Sequence, residues 1–318
     1  MLSMPGLRDD SRRPETMRPA DPSGPRPQES CMKRRRFLTL IAGTLVCPCG
    51  SKASVWQGTA LGADVSVTLT GPGSDAALSQ VRATLMRMEK LFSLYRASQL
   101  TLLNATGILP ALPPEMLDLC RIAGQVHALT SGCFDPTVQS LWTALATGGD
   151  IAAARRLIDW TAVTLDASGI TLASGQTLTF NGIAQGFATD VVTAELAALG
   201  FTRALINIGE YRALGGPWHV AIADPAFGVL AQTTLTGQAI ATSSPAALMV
   251  GGQPHILSRD GAAPHWSTVS ITAPTAAMAD ALSTGFCLMD RMAIRATLSR
   301  LPGVTARLID TAGNLTTA

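Results

Sequence analysis

The chain has 318 residues, 47% hydrophobic and 14% charged, against a charged share of about 25% in ordinary soluble domains. The formal net charge is +2, with much of the positive charge before residue 37, so the remainder is near neutral. That balance supports a sizeable core and argues against nucleic-acid binding, which needs a basic face.

Residues 1–31 are rich in Pro, Arg, Asp and Ser without a hydrophobic period, and read as disordered or as a mis-assigned start. From Met32, "MKRRRFLTLIAGTLVC" places basic Lys33 to Arg36 ahead of an apolar run from Phe37 to Cys47. That run is too short to span a bilayer of about 30 Å. Arg34 and Arg35 fit a twin-arginine export signal, and Ser51 to Ala53 a cleavage site, giving a leader over 32–53 and a periplasmic destination. A lipoprotein anchor at Cys47 is less favoured, because Val46 precedes it. What must fold is then residues 54–318, one large domain or two intimately packed lobes. Cys120, Cys133 and Cys287 remain beyond the leader; no C-x-x-C occurs, and at most one disulfide could form.

Trp56 to Gly71 reads as strand, turn and alternating strand. Ala76 to Leu91 repeats apolar residues at helical spacing, with Leu78, Val81, Leu85, Met88 and Leu91. Residues 92–107 read as a short segment entering a loop. Pro114 to Leu129 is a second amphipathic helix, "TSGCFDPTVQSLW" a turn with a Pro-led helix start, and Asp150 to Ile158 a third helix. Residues 162–180 suggest a hairpin about Asp166 to Gly169, with Leu178 to Phe180 strand-like. A helix follows from Phe187 to Leu199, stopped at Gly200. "RALINIG", "WHVAIADP", "GQAIATSS", "STVSITAP" and "VTARLID" read as strands, and "AAMADALSTGFCLM" as a helix. The mixture lacks a regular βαβ rhythm, which predicts an α+β fold with mixed or antiparallel sheets and flanking helices.

Three places could carry chemistry. "NGIAQGFATD", residues 181–190, is either a glycine-containing strand-to-helix turn or a backbone shaped to meet a phosphate at the helix start. Asp280 and Thr284 stand four apart on one helix face, where they either hold Mg²⁺ or merely complement the helix dipole and face solvent. Asp135 before Pro136 is a natural N-cap. His255, in "GGQPHILSRDG", is a candidate general base, although a lone loop histidine is more often only solvated.

Together, and in this order, the segments resemble the ApbE family, the FAD:protein FMN transferases. "GTALGADVSVTL", "LFSLYRASQLTLLN", "TSGCFDPTV", "NGIAQGFATD", "INIGEYRALG", "AIATSS", "PHILSRDGAAP" and "ADALSTGF" are similar to its boxes, from Trp56 to Leu308. The resemblance implies a flavin site between two lobes. It implies Mg²⁺ held by Asp280, Thr284 and the Gly182 carbonyl. It implies FAD contacts at Leu61, Tyr95, Cys133, Phe134, Asp135, Thr179, Gln185 and Ile256, with His255 assisting the acceptor hydroxyl. FAD would be split and FMN joined to a threonine of an exported or membrane flavoprotein. The same site would serve a periplasmic FAD pyrophosphatase, and a non-catalytic flavin-binding assembly factor is the reading from another class.

The chain departs from the family pattern at Gln185, where Lys is common, at Gly209-Glu210, and at Ser258-Arg259 after His255. The Gln185 and "GEYRALG" variants also resemble a NosX-like branch linked to nitrous-oxide reductase maturation, whose acceptor would be a NosR-like membrane protein.

Overall fold

The computed structural model describes residues 53–318 and the backbone of Leu38–Leu40, all within one compact unit, Lys33–Ala318. The twin-arginine pair and most of the predicted leader lie outside the described residues. Within the leader's apolar run, Leu38–Leu40 forms strand β1.

An eight-stranded sheet organises the molecule, in the order β16-β15-β14-β11-β8-β7-β3-β2. Its strands are β2 (Ala53–Ala60), β3 (Ala63–Thr70), β7 (Ala204–Ile208), β8 (Tyr211–Leu214), β11 (Ala239–Ser243), β14 (Thr268–Ala273), β15 (Thr305–Ile309) and β16 (Leu315–Thr317). Every pairing in it is antiparallel, which resolves the sheet type that the sequence left as mixed or antiparallel. A smaller antiparallel sheet combines β1 with β9 (Trp218–Asp224) and β10 (Gly228–Leu235). The short strands β4 (Ile108–Pro110), β5 (Thr164–Asp166) and β6 (Gly169–Thr171) form a third sheet, and β12 (Met249–Val250) pairs with β13 (Gln253–Pro254).

The helices are α1 (Ser74–Phe92), α2 (Gln99–Thr106), α3 (Pro114–Leu129), α4 (Gln139–Thr147), α5 (Ile151–Arg156), α6 (Ala184–Ala198), α7 (Ala276–Phe286) and α8 (Arg291–Leu298). None among the described residues is long and apolar enough to cross a membrane.

Two apolar layers explain why the middle strands lack polar alternation. Along β7 every residue is buried: Ala204, Ile206 and Ile208 join the main core with α1, α6 and α7, while Leu205 joins a second cluster. That cluster packs Tyr211, Ala213 and Ile240 against Trp218, Val220, Ile222 and Leu235 of β9 and β10. A sheet covered on both faces reads as continuous apolar sequence.

Three local differences from the sequence reading have physical causes. Residues 99–106 form α2 rather than a loop, because Ser98 and Thr101 make a reciprocal capping box and Gly107 closes the C-terminus in the left-handed region. The predicted hairpin forms, as β5 paired with β6 about Asp166 to Gly169, but the strand-like Leu178 to Phe180 belongs to no sheet. There the Asn104 amide imitates a neighbouring strand: its Oδ1 accepts from Leu178 N at 2.7 Å, and its Nδ2 donates to Leu178 O at 2.9 Å. The helix after the glycine stretch starts at Ala184, so Gly186 lies inside its first turn. Cys120, Cys133 and Cys287 are all free thiols. Burial pushes the Cys120 thiol up to about 12, raises that of Cys287 further, and raises Cys133 with help from the Asp260 charge.

Candidate active site at the junction of α6 and α7

Helix α7 runs through the middle of the core, with Ala276, Ala277, Ala279, Ala281 and Gly285 giving it a slender profile. Its close neighbour is the start of α6. A Cβ on Gly186 would lie 2.3 Å from the Ala276 carbonyl oxygen, so only glycine admits this crossing. Gly186 therefore clears space for α7, not for a phosphate.

The first amides of α6 are likewise occupied from within. Ile183 and Ala184 donate to Phe180 O, and Gly186 N donates to Asp280 Oδ2 at 3.0 Å. The anion facing this helix start is the Asp280 carboxylate itself. A carboxylate that is 3% exposed needs such donors.

One turn along α7, Thr284 faces Gly182. A Cβ on Gly182 would meet Thr284 Oγ1 at 2.9 Å and the Phe134 ring at 3.4 Å. Ser243, at the end of β11, links the α7 hydroxyls: its Oγ lies 2.8 Å from Ser283 Oγ and 3.3 Å from Thr284 Oγ1. The predicted trio of Gly182, Asp280 and Thr284 thus belongs to one α6–α7 junction. Among the described residues no cluster of three or more His, Cys, Asp or Glu could hold a metal. The Asp280 carboxylate and the Thr284 hydroxyl are a leaner, all-oxygen pair, to which the Gly182 carbonyl would add a third oxygen. Together they fit Mg²⁺, which keeps several positions for water or phosphate.

Asp190, in the same "NGIAQGFATD" stretch, went unassigned in the sequence. Its Oδ1 accepts from Ala276 N at 2.8 Å and its Oδ2 from Ala277 N at 2.9 Å, so it caps α7 from a neighbouring helix. Its Oδ1 also pairs with Arg212 Nη1. Asp190→Ala is expected to lower unfolding stability by about 3 kcal/mol, by losing the cap and stranding a largely buried guanidinium. Chemical denaturation checks this, and a loss within experimental error would contradict the capping role.

A second grouping surrounds the β2–β3 turn. Leu61 and Gly62 both have positive φ, 50° and 73°, as a two-residue hairpin loop requires. For a leucine that conformation costs about 1–3 kcal/mol. Two side chains hold it: Glu89 Oε1 accepts from Leu61 N at 2.5 Å, and Gln185 Nε2 donates to Leu61 O at 2.9 Å. Gln185 also lies against Gly209, where a Cβ would sit 2.6 Å from its Oε1. An uncharged amide fits this buried place because its partner is a carbonyl. Leu61, Tyr95 and Gln185 line a recess of about 30 Å³ with Glu89, Asn181 and Ala184. Tyr95 is 69% exposed at its mouth, and Thr179 Oγ1 accepts from Asn181 N at 3.1 Å.

The remaining predicted residues take different places. Phe134 is buried between Gly182 and Gly285. Cys133 Sγ points toward Leu288 O at 3.9 Å, near Asp260. Ile256 is buried in the main core. The Asp135 carboxylate braces the fold rather than facing an open pocket: Oδ1 accepts from Thr137 N and Oγ1, at 2.8 and 2.5 Å, and Oδ2 from Trp160 N at 3.2 Å. That is the capping role its place before Pro136 also allowed.

His255 is anchored through Nδ1, 2.9 Å from Pro245 O. A carbonyl can only accept, so Nδ1 carries the proton and Nε2 is the basic nitrogen of the ring. Pro245 follows Ser243 by two residues, so one short segment touches the α7 hydroxyls and orients the histidine.

Known proteins share this fold. The chain superposes on the apo crystal structure of the flavinyl transferase ApbE of Pseudomonas stutzeri with a TM-score of 0.72 at 27% identity, covering 84% of this chain and 94% of that one. The ApbE protein of Thermotoga maritima matches with a TM-score of 0.76 at 22% identity, over 84% of this chain and 97% of the other. The flavin transferase ApbE of Vibrio cholerae gives 0.73 at 21% identity, over the same shares. Comparison with curated protein sequences gave no match. The family model for ApbE matches residues 61–308, from the Leu61 turn to the end of β15, and the chain belongs to the ApbE family.

Proposed function

We propose that the chain is a Mg²⁺-dependent FAD:protein FMN transferase. The observation that carries this reading is the α6–α7 junction, where the Asp280 carboxylate accepts from Gly186 N and the Thr284 hydroxyl faces Gly182 beside the Phe134 ring. The family membership and the likeness to a flavinyl transferase support it. Mg²⁺ held by Asp280, Thr284 and the Gly182 carbonyl would offset the charge of the FAD pyrophosphate.

The chain's own residues account for the rest of the chemistry. Leu61, Tyr95 and Gln185 line the recess beside the junction, Thr179 accepts from Asn181 of its wall, and these four would contact FAD. Gln185 is uncharged, so it orients the substrate without neutralising it. An acceptor threonine hydroxyl attacks the FMN-side phosphorus. The P–O bond to the AMP moiety breaks, and AMP leaves with the bridging oxygen. His255 Nε2 takes the hydroxyl proton, its ring held in register by Pro245 O. Positioning supplies most of the rate, as for other phosphoryl-type transfers.

The leader motif supports export to the periplasm, where the acceptor would be an exported or membrane flavoprotein. The Gln185 and Gly209–Gly215 variants support placement in the NosX-like branch, with a NosR-like acceptor. The test is AMP release from FAD and Mg²⁺, with and without an acceptor domain bearing a threonine in a small-residue motif. Acceptor-dependent AMP supports transfer. Equal AMP and FMN without acceptor indicates a pyrophosphatase, and intact bound FAD a carrier.

A further inference from the structure

The eight-stranded sheet ends at β2, and among the described residues no strand pairs with the outer edge of β2. Native sheets usually blunt such an edge with proline, lysine or a bulge. The eight residues of β2, "ASVWQGTA", hold none of these, and their pairing with β3 is regular from Ala53↔Thr70 to Ala60↔Ala63. Beside β2 runs a groove of about 590 Å³, walled by the outer ridge of α1. Its floor is apolar, with Met86 61% exposed and the Trp56 indole lying across Gly58, where a Cβ would be 2.6 Å from the ring.

The rim is basic. Arg82, Lys90 and Arg96 line it, all exposed, and among the described residues none of them pairs with a carboxylate. The single rim acid, Glu89, is committed to Leu61 N. Glu89 also lines the recess beside the α6–α7 junction, so the groove and the candidate site share a wall.

We propose that this groove docks an extended, acidic polypeptide segment of the acceptor protein, added as a strand along β2. An open strand edge offers alternating backbone N–H and C=O groups, which only another polypeptide backbone complements along its length. Acidic side chains of the segment meet Arg82, Lys90 and Arg96, and its apolar residues rest on Trp56 and Met86. Through the shared Glu89 wall, a segment held here delivers its protein to the recess. Identifying the segment with the acceptor rests on the transferase reading. The docking itself is measurable without FAD.

The probe is a fluorescent peptide of alternating Glu and Val, as long as β2, with a Lys-Val peptide as the charge control. The Glu-Val peptide is expected to bind the exported chain and the Lys-Val peptide not to. Combined Arg82→Glu, Lys90→Glu and Arg96→Glu should weaken binding by about tenfold, as three rim ion pairs imply, while FAD affinity stays unchanged. Alternate N-methylation of the peptide, tested on the unaltered protein, should abolish binding by removing its ladder donors. Failure of the Glu-Val peptide to bind, indifference to N-methylation, or a dimer that occupies the β2 edge in sedimentation would overturn the proposal. Loss of FAD binding with peptide binding intact would instead count against the transferase reading.

Discussion

Asp280→Asn is expected to reduce Mg²⁺-dependent AMP release by about three orders of magnitude, with little change in thermal stability. The two halves of that expectation have separate origins. The amide oxygen of Asn can still accept from Gly186 N, so the α6–α7 contact that buries residue 280 is kept. What disappears is the negative charge, which under the proposed function would be the strongest oxygen ligand for Mg²⁺ beside Thr284 and the Gly182 carbonyl. Titrating AMP release against Mg²⁺ separates weakened metal binding from a lost chemical step. Undiminished turnover at ordinary Mg²⁺ would remove Asp280 from the reaction.

His255→Ala is expected to slow transfer to the acceptor by about a hundredfold while leaving the FAD dissociation constant unchanged. The Nδ1 contact with Pro245 O fixes the tautomer, so the variant removes the basic Nε2 without touching α6 or α7. An equal loss of FAD binding and of transfer would assign His255 a binding role instead.

How much of this was legible in the sequence depends on whether the signal is local. Helix α3 occupies Pro114–Leu129, the span its apolar spacing predicts, and the carboxylate and hydroxyl of α7 stand four apart on the helix that their spacing implies. The order of the motifs pointed to the family before any packing was visible. Contacts made across the chain left weaker traces. Gly186 in a glycine-containing turn suggested a phosphate, yet its purpose is a helix crossing with Ala276, some ninety residues later. Asp190 looks like an ordinary helical acid until it is seen capping α7. Asn104 stands in for a strand that the pattern at Leu178 to Phe180 seemed to supply. Ser243 touches α7 only because β11 ends there, and nothing in "AIATSS" alone singles it out.

Gln185 shows a different limit. Against the family pattern it reads as a missing positive charge. In the fold it is a buried donor to Leu61 O, seated in the space that Gly209 leaves. The turn at Leu61 has to be held in the left-handed region, and an amide does this without burying a charge. The side chain that departs from the family therefore shapes the recess itself.

The central claim is that FMN leaves FAD to become part of another protein. Intact mass spectrometry tests it most directly, on an acceptor domain incubated with the chain, FAD and Mg²⁺. The account predicts that the acceptor gains the mass of one FMN less water, with one AMP released per acceptor and no gain when the target threonine is alanine. An acceptor of unchanged mass while FAD is consumed to FMN and AMP would contradict it.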